Sequence, residues 1–206
     1  MAYRDFKLSD LKVKFNLTQR SEKLFGIVPN VEPSETLLLI IERSRKMRIT
    51  TEKAVSEAII MPVLSEIQIL NEDKLTLFSG ENLLADRSLG LNGEVDFLII
   101  REPQSYEVIA PIINVTEAKF NRAIENSIAQ AAAQMMGARV FNQKHNCPYE
   151  TIYGCITNGS DWLFLKLEGN VLFVDTDKYV TRNLSELLGI LQNIIDFYKD
   201  IPSVLK

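Results

Sequence analysis

Histidine is nearly missing from this chain: His145 is the only one in 206 residues. That excludes a metal centre built from several imidazoles. A Ser-His-Asp arrangement built on the "QKHNCPY" loop would likewise have nothing else to support it. Cysteine is scarce too. Cys147 and Cys155 are too few for a disulfide framework and match no zinc spacing, so they read as buried thiols in a reducing compartment. No aliphatic run exceeds "LLLII" at 37–41, far short of the ~20 apolar residues that cross a bilayer. The opening "MAYRDFKLSD" lacks the apolar stretch of a signal peptide. The expectation is a cytoplasmic protein with no membrane contact. Bulk positive charge is also lacking, since the net charge is −4. This argues against a non-specific nucleic-acid binder and leaves room only for a local basic groove. The glycines of "GENLLADRSLGLNG" form neither a phosphate loop nor a GxGxxG turn before a helix, so no nucleotide cofactor is expected.

What is present describes one globular domain over residues 1–206. Apolar content of 46% and charged content of 24% are enough to bury a core. "DLKVKF" (10–15) alternates like an edge strand, and "VPNVEP" (28–33) reads as a loop. Ser34 caps a helix through "ETLLLIIERSRKM", and Thr50 or Thr51 caps a second helix with a kink or end expected at Pro62. The period then changes. "KLTLFSG", "ENLLAD" and "GEVDFLII" read as short strands, and "VIAPIINVTEAKF" as a further one. An Ala-rich helix spans Arg122 to Asn142. Three more strands form a meander turning at Asn158-Gly159 and Gly169-Asn170, and an amphipathic helix closes the chain from about 183 to 200. The order predicts an α/β fold with a central mixed sheet flanked by helices.

The segment "NVTEAKF" (114–120) carries the chemistry. Its largely apolar run reads as a buried strand, yet Glu117 and Lys119 sit two apart and therefore on one face. Asp96, in "NGEVDFLII", enters a strand that turns apolar at once. If the two strands are neighbours, Asp96 and Glu117 converge, and two converging carboxylates need a positive charge between them. A hard divalent cation suits such a site, because Mg²⁺ is commonly held by one or two carboxylates plus substrate phosphate. The Ala118 carbonyl is a further candidate oxygen. Lys119 would act on the attacking water or on charge building at phosphorus. The bland readings are a solvated Glu117–Lys119 pair on an edge strand and a turn role for Asp96. Glu94 shares the face of Asp96 and reads as a rim residue.

The "VDF…TEAKF" pattern resembles the PD-(D/E)xK, or restriction-endonuclease-like, nuclease superfamily. "GCITNGSDWLFLKL" resembles the strand pair after the Gln-bearing helix in the N-terminal nuclease domain of type I restriction enzyme subunits. The likeness covers about residues 50–170, leaving an N-terminal extension at 1–49, and departs from the pattern at Val95, where the motif has Pro. It implies a restriction-endonuclease-like core and a Mg²⁺-dependent endonuclease acting on DNA, with Mn²⁺ able to substitute. Asp96, Glu117 and the Ala118 carbonyl would hold the metal, with an upstream helical glutamate, Glu57, completing the site directly or through water. Gln130, one turn from Gln134 on the following helix, would position Lys119, water or phosphate. Glu57, Gln130 and Gln134 could equally be ordinary helix surface. The rivals are an inactive nuclease-fold module that binds DNA or a protein, and a subunit that needs a partner in trans; a homodimer is compatible with either. The basic run "RSRKMR" (43–48) is either the solvated end of a helix or a phosphate-binding patch. Ten Lys/Arg against six Asp/Glu in the first fifty residues lean toward the second.

Overall fold

The structure is a computed structural model describing residues 2–120, 123–147 and 149–201. After a 3-10 turn at Tyr3–Asp5 the elements are α1 (Leu8–Phe15), β1 (Thr18–Glu22), α2 (Glu35–Ser44), α3 (Glu52–Val55) and α4 (Met61–Leu70). There follow β2 (Thr76–Asp86), β3 (Leu91–Ile100), β4 (Ile112–Ala118), α5 (Ile128–Lys144), β5 (Thr151–Thr157), β6 (Asp161–Glu168), β7 (Val171–Asp175), β8 (Tyr179–Val180) and α6 (Leu184–Phe197). All eight strands join one mixed sheet in the order β1-β7-β6-β5-β4-β3-β2, with β8 beside β6. Among the described residues only β1–β7 and β4–β5 run parallel, and α5 makes the crossover between β4 and β5. The α/β class and the helix-flanked mixed sheet expected from the sequence are what the chain forms. Among the described residues, no helix is long and apolar enough to cross a membrane.

Several elements follow directly from local sequence. Ser34 caps α2, its hydroxyl accepting from Leu37 N at 3.1 Å, and the cap is locked to α4 by Glu66, which accepts from Ser34 N and Oγ. Thr51, rather than Thr50, caps α3 by accepting from Ala54 N at 3.1 Å. Pro62 does not end the second helix. The strain is absorbed just upstream, where Ser56–Ile60 widens into a π turn before α4 continues. A proline ring clashes with the carbonyl four residues back, and one wider turn relieves that clash.

Three local expectations are corrected. "DLKVKF" belongs to helix α1, not to an edge strand. Asp10 caps its start by accepting from Lys7 N, and Asn16 ends it in the left-handed region at φ 53°. Its six residues were too few to separate alternation from a helical face, on which only Leu11 is fully buried. The edge strand in this part of the chain is β1, "TQRSE", exposed along its whole length and without any strand-like residue pattern; β2 forms the opposite edge. "KLTLFSG" and "ENLLAD" are one strand, β2, bending at Gly80 rather than breaking there. "VIAPIINVTEAKF" narrows to β4, because Pro111 has no N–H to give to an interior ladder. Arg122, the expected start of the long helix, lies outside the described residues; a 3-10 turn at Ile124–Ser127 leads into α5.

β4 is the centre of the core. All seven of its residues are buried, as a continuous apolar run implies for a strand covered on both faces. α5 lies across β2, β3, β4 and β5 on a surface of small side chains, with Ala131, Ala132, Ala133 and Ala138 fully buried. Asn142 exchanges two hydrogen bonds with the Ile112 backbone (2.8 and 2.7 Å), fixing the first residue of β4 to the helix. Gly137 admits the Tyr3 ring, whose hydroxyl donates to Leu83 O at 3.0 Å; a Cβ at 137 would lie 2.2 Å from that hydroxyl.

Gly137→Ala is therefore expected to destabilise. In an open helix the change gains about 1 kcal/mol. Here the ring must be expelled, and a net loss of about 1–3 kcal/mol is expected from overpacking. Denaturant titration reads the sign, and a gain in midpoint would contradict the packing described.

Candidate active site

β3 and β4 are antiparallel neighbours, with Phe97 opposite Thr116. One step further along each strand stand Asp96 and Glu117, at the point where the ladder ends. Asp96 Oδ2 accepts from Ala118 N at 2.7 Å, so its carboxylate occupies the place a ladder carbonyl would take. A strand residue's N–H and C=O point to the same neighbour, so the Ala118 carbonyl faces the same edge. Lys119 has left the ladder with β3, but its N–H donates to Thr157 O of β5 at 2.8 Å.

Glu117 is 2% exposed. Lys119 Nζ donates to its Oε1, and Gln134 Nε2 donates to its Oε2 at 2.6 Å from α5. The second Gln134 atom, Oε1, is buried with no hydrogen-bond partner among the described residues. Lys119 is itself 11% exposed and lies 3.9 Å from Glu52 Oε2. Burial, and then the Asp96 charge, push the Glu117 carboxyl up to about 7 against the pull of Lys119 and Gln134. Asp96 is also pushed up by burial, its Ala118 hydrogen bond and Lys119 opposing, and Glu52 and Glu94 adding to the rise. These residues border a cleft of about 670 Å³ lined also by Arg4 and Gln130. Four carboxylates and two cationic side chains face it, so its field favours a cation.

Asp96, Glu117 and Lys119, predicted to converge, are thus brought together, and Glu94 stands on the exposed rim. Glu57 is not brought in. It is exposed, pairs with Lys53 at 3.8 Å and borders a separate depression with Ile40 and Met47. Glu52 takes its place. Five residues along a helix turn a side chain by about 140°, so only one of the two can face the cleft. Glu52 is the first residue after the Thr51 cap, at the helix end that meets the site, and that position was the available signal. Gln130 lines the cleft, while the bond to Glu117 belongs to Gln134 one turn deeper. Ala2, Tyr3 and Arg4 complete one wall, which no sequence pattern marked.

The donor set suits a hard cation in one respect. Glu117 and Asp96 face each other from adjacent strands, and each carboxylate oxygen has lone pairs beyond the one its present partner uses. Among the described residues, however, no group of three or more His, Cys, Asp or Glu side chains is arranged to hold a metal. Two carboxylates and a backbone carbonyl are the most the edge provides. No protein-family model and no curated protein matches the chain.

Glu117 makes stability depend on pH in the metal-free protein. Its carboxyl is raised on folding, so the folded state holds the proton more tightly. That contribution is complete below about 4.5 and is lost as pH rises through about 7. A loss on the order of 3 kcal/mol is expected over that window. Glu117→Gln should flatten it. Chemical denaturation in EDTA at a series of pH values tests this, and parallel curves for the two proteins would contradict the assignment.

Proposed function

We propose that the chain is a metal-dependent nuclease with a restriction-endonuclease-like core, hydrolysing phosphodiester bonds in DNA with Mg²⁺ or Mn²⁺. One observation carries the reading. A buried carboxylate and a second carboxylate from the neighbouring strand meet where the ladder between β3 and β4 ends, with a lysine two residues from the buried one bonded to it. A cytoplasmic site of action belongs to the same proposal, supported by two thiols that burial pushes up rather than activates.

Asp96, Glu117 and the Ala118 carbonyl would hold the cation. When bound, it would neutralise the facing carboxylates and polarise the scissile phosphate. The Ala118 N–H fixes one Asp96 oxygen and leaves the other to turn into the cleft. Gln134 anchors Glu117 from the helix side, so the carboxylate cannot swing away when Lys119 moves. Lys119, held between Glu117 and Glu52, keeps a positive charge beside the edge where negative charge would develop on phosphate. Glu117 must lose its proton before it can serve as an anionic ligand, so cation affinity should rise as pH approaches about 7.

A second reading has its own support: both Glu117 oxygens already have protein partners, as in a closed polar cluster that only braces the sheet. The fold would then bind DNA or a protein, or serve a partner that supplies activity in trans.

Substitution separates the two readings. Glu117→Gln and Asp96→Asn should lose Mn²⁺ binding and plasmid cleavage together. Lys119→Ala should keep or slightly tighten Mn²⁺ binding, because a like charge is removed, while cleavage falls by about 10²–10³. Calorimetric titration beside a plasmid-nicking assay reads both, and parent protein that binds no divalent cation at millimolar concentration would leave only the second reading.

The helical glutamate is tested separately. Glu52→Gln should lower cleavage, because it loosens Lys119, whereas Glu57→Gln should leave it unchanged. The reverse pattern in the same assay would return Glu57 to the site.

A further inference from the structure

Three and seven residues on from Glu52, along the same helical face, Val55 and Ile59 border a second pocket, of about 370 Å³, within the size range of ligand sites. Its floor is apolar, formed by Ile41, Val55 and Ile59, and Phe120 borders it immediately after Lys119 in the chain. Arg45 and Arg182 stand on its walls, both exposed, and neither forms an ion pair among the described residues. No acidic side chain lines it. The contrast with the acidic cleft one residue away along the chain is sharp in sign.

The pocket is also built on fixed backbone. Thr181, just before Arg182, accepts from Trp162 Nε1 at 2.9 Å and donates to Gly159 O at 2.6 Å. Ser44, just before Arg45, is buried with its hydroxyl on Ile41 O at 2.8 Å. Gly159 sits at φ 82° and so close to α3 that a Cβ would lie 2.7 Å from Val55 Cγ1, which holds the Asn158–Ser160 turn against the pocket floor. Both arginines therefore stand on anchored backbone at the border between this cavity and a neighbouring depression lined by Glu42.

A ligand that fits must carry an anion for the arginines and a flat apolar part for Phe120 and the floor. We infer that this pocket takes one unpaired nucleotide of the nucleic acid, its phosphate on Arg45 and Arg182 and its base against Phe120. The preferred substrate then has a single-stranded segment beside the bond at the Glu117 edge. Guanidinium groups match phosphate geometry, and base stacking on an aromatic ring needs no particular sequence. A base inside a duplex is not available to such a pocket. The inference rests on the nuclease reading for the identity of the polyanion, but not on cleavage.

The test is fluorescence anisotropy in EDTA with a labelled oligothymidine and a duplex of equal length. The single strand should bind at least about ten-fold more tightly. Arg45→Ala with Arg182→Ala should weaken it and reduce the slope of log affinity against log salt by about 0.7 for each phosphate that is no longer neutralised. Phe120→Ala should weaken single-strand binding roughly five- to hundred-fold with the slope unchanged. Thermal melting checks that each variant is folded, and the exposed arginines keep the test valid if Phe120→Ala is not. Equal or tighter duplex binding, or an unchanged salt slope in the double variant, would overturn the inference. If the parent cuts DNA while the pocket variants bind as it does, the pocket fails and the nuclease reading stands. If the binding pattern holds and the parent never cuts, the pocket stands and the nuclease reading fails.

Discussion

Keeping a carboxylate at Glu117, where water hardly reaches, is the constraint on which this molecule turns. Desolvation opposes its charge, the facing Asp96 opposes it further, and Lys119 and Gln134 only partly compensate. A buried acid in this position costs stability at neutral pH, whereas an apolar residue of similar volume would remove that cost. An arrangement that is unfavourable for folding and still fully braced is what a functional site requires.

The bracing explains much of the architecture. α5 grips β4 near both ends, through Asn142 on Ile112 and Gln134 on Glu117, and its small residues bring it close to the sheet. The missing Cβ of Gly137 leaves space on the same helix for Tyr3, which holds the N-terminal segment along the cleft wall. The helix that packs the core therefore also sets the geometry of the carboxylate and of one side of its cleft. On the far side, one face of α3 presents Glu52 to the acidic cleft and, three residues on, Val55 to the arginine-walled pocket. Two surfaces of opposite charge therefore adjoin along one short helix.

The sequence was most legible where burial and spacing act together. The unbroken apolar run of β4 marked a strand covered on both faces, and the charges two apart at its end could only share a face. Asp96 could be placed opposite once β3 and β4 were neighbours. It was least legible where a side chain's direction depends on helix phase. Glu52 and Glu57 have the same chemistry and lie on one helical stretch; the Thr51 cap marks Glu52 as the residue at the helix start, but only the packing of that stretch shows that this end meets the site. Gln130 and Gln134 differ by one turn of depth, which no periodicity resolves. "DLKVKF" fits either period in six residues, and the polar β1 is a strand only because β7 offers it an edge.

The central claim is that the Glu117 edge is a cation site whose carboxyl carries a proton until the cation arrives. Titration of the protein with Mn²⁺ near pH 6, in two buffers of different ionisation enthalpy, addresses it most directly. Binding should release close to one proton per ion, because a carboxyl raised to about 7 is largely protonated there and must ionise to ligate. Glu117→Gln should abolish both the binding and the buffer dependence. Binding that releases no proton, or that survives Glu117→Gln unchanged, would contradict the claim.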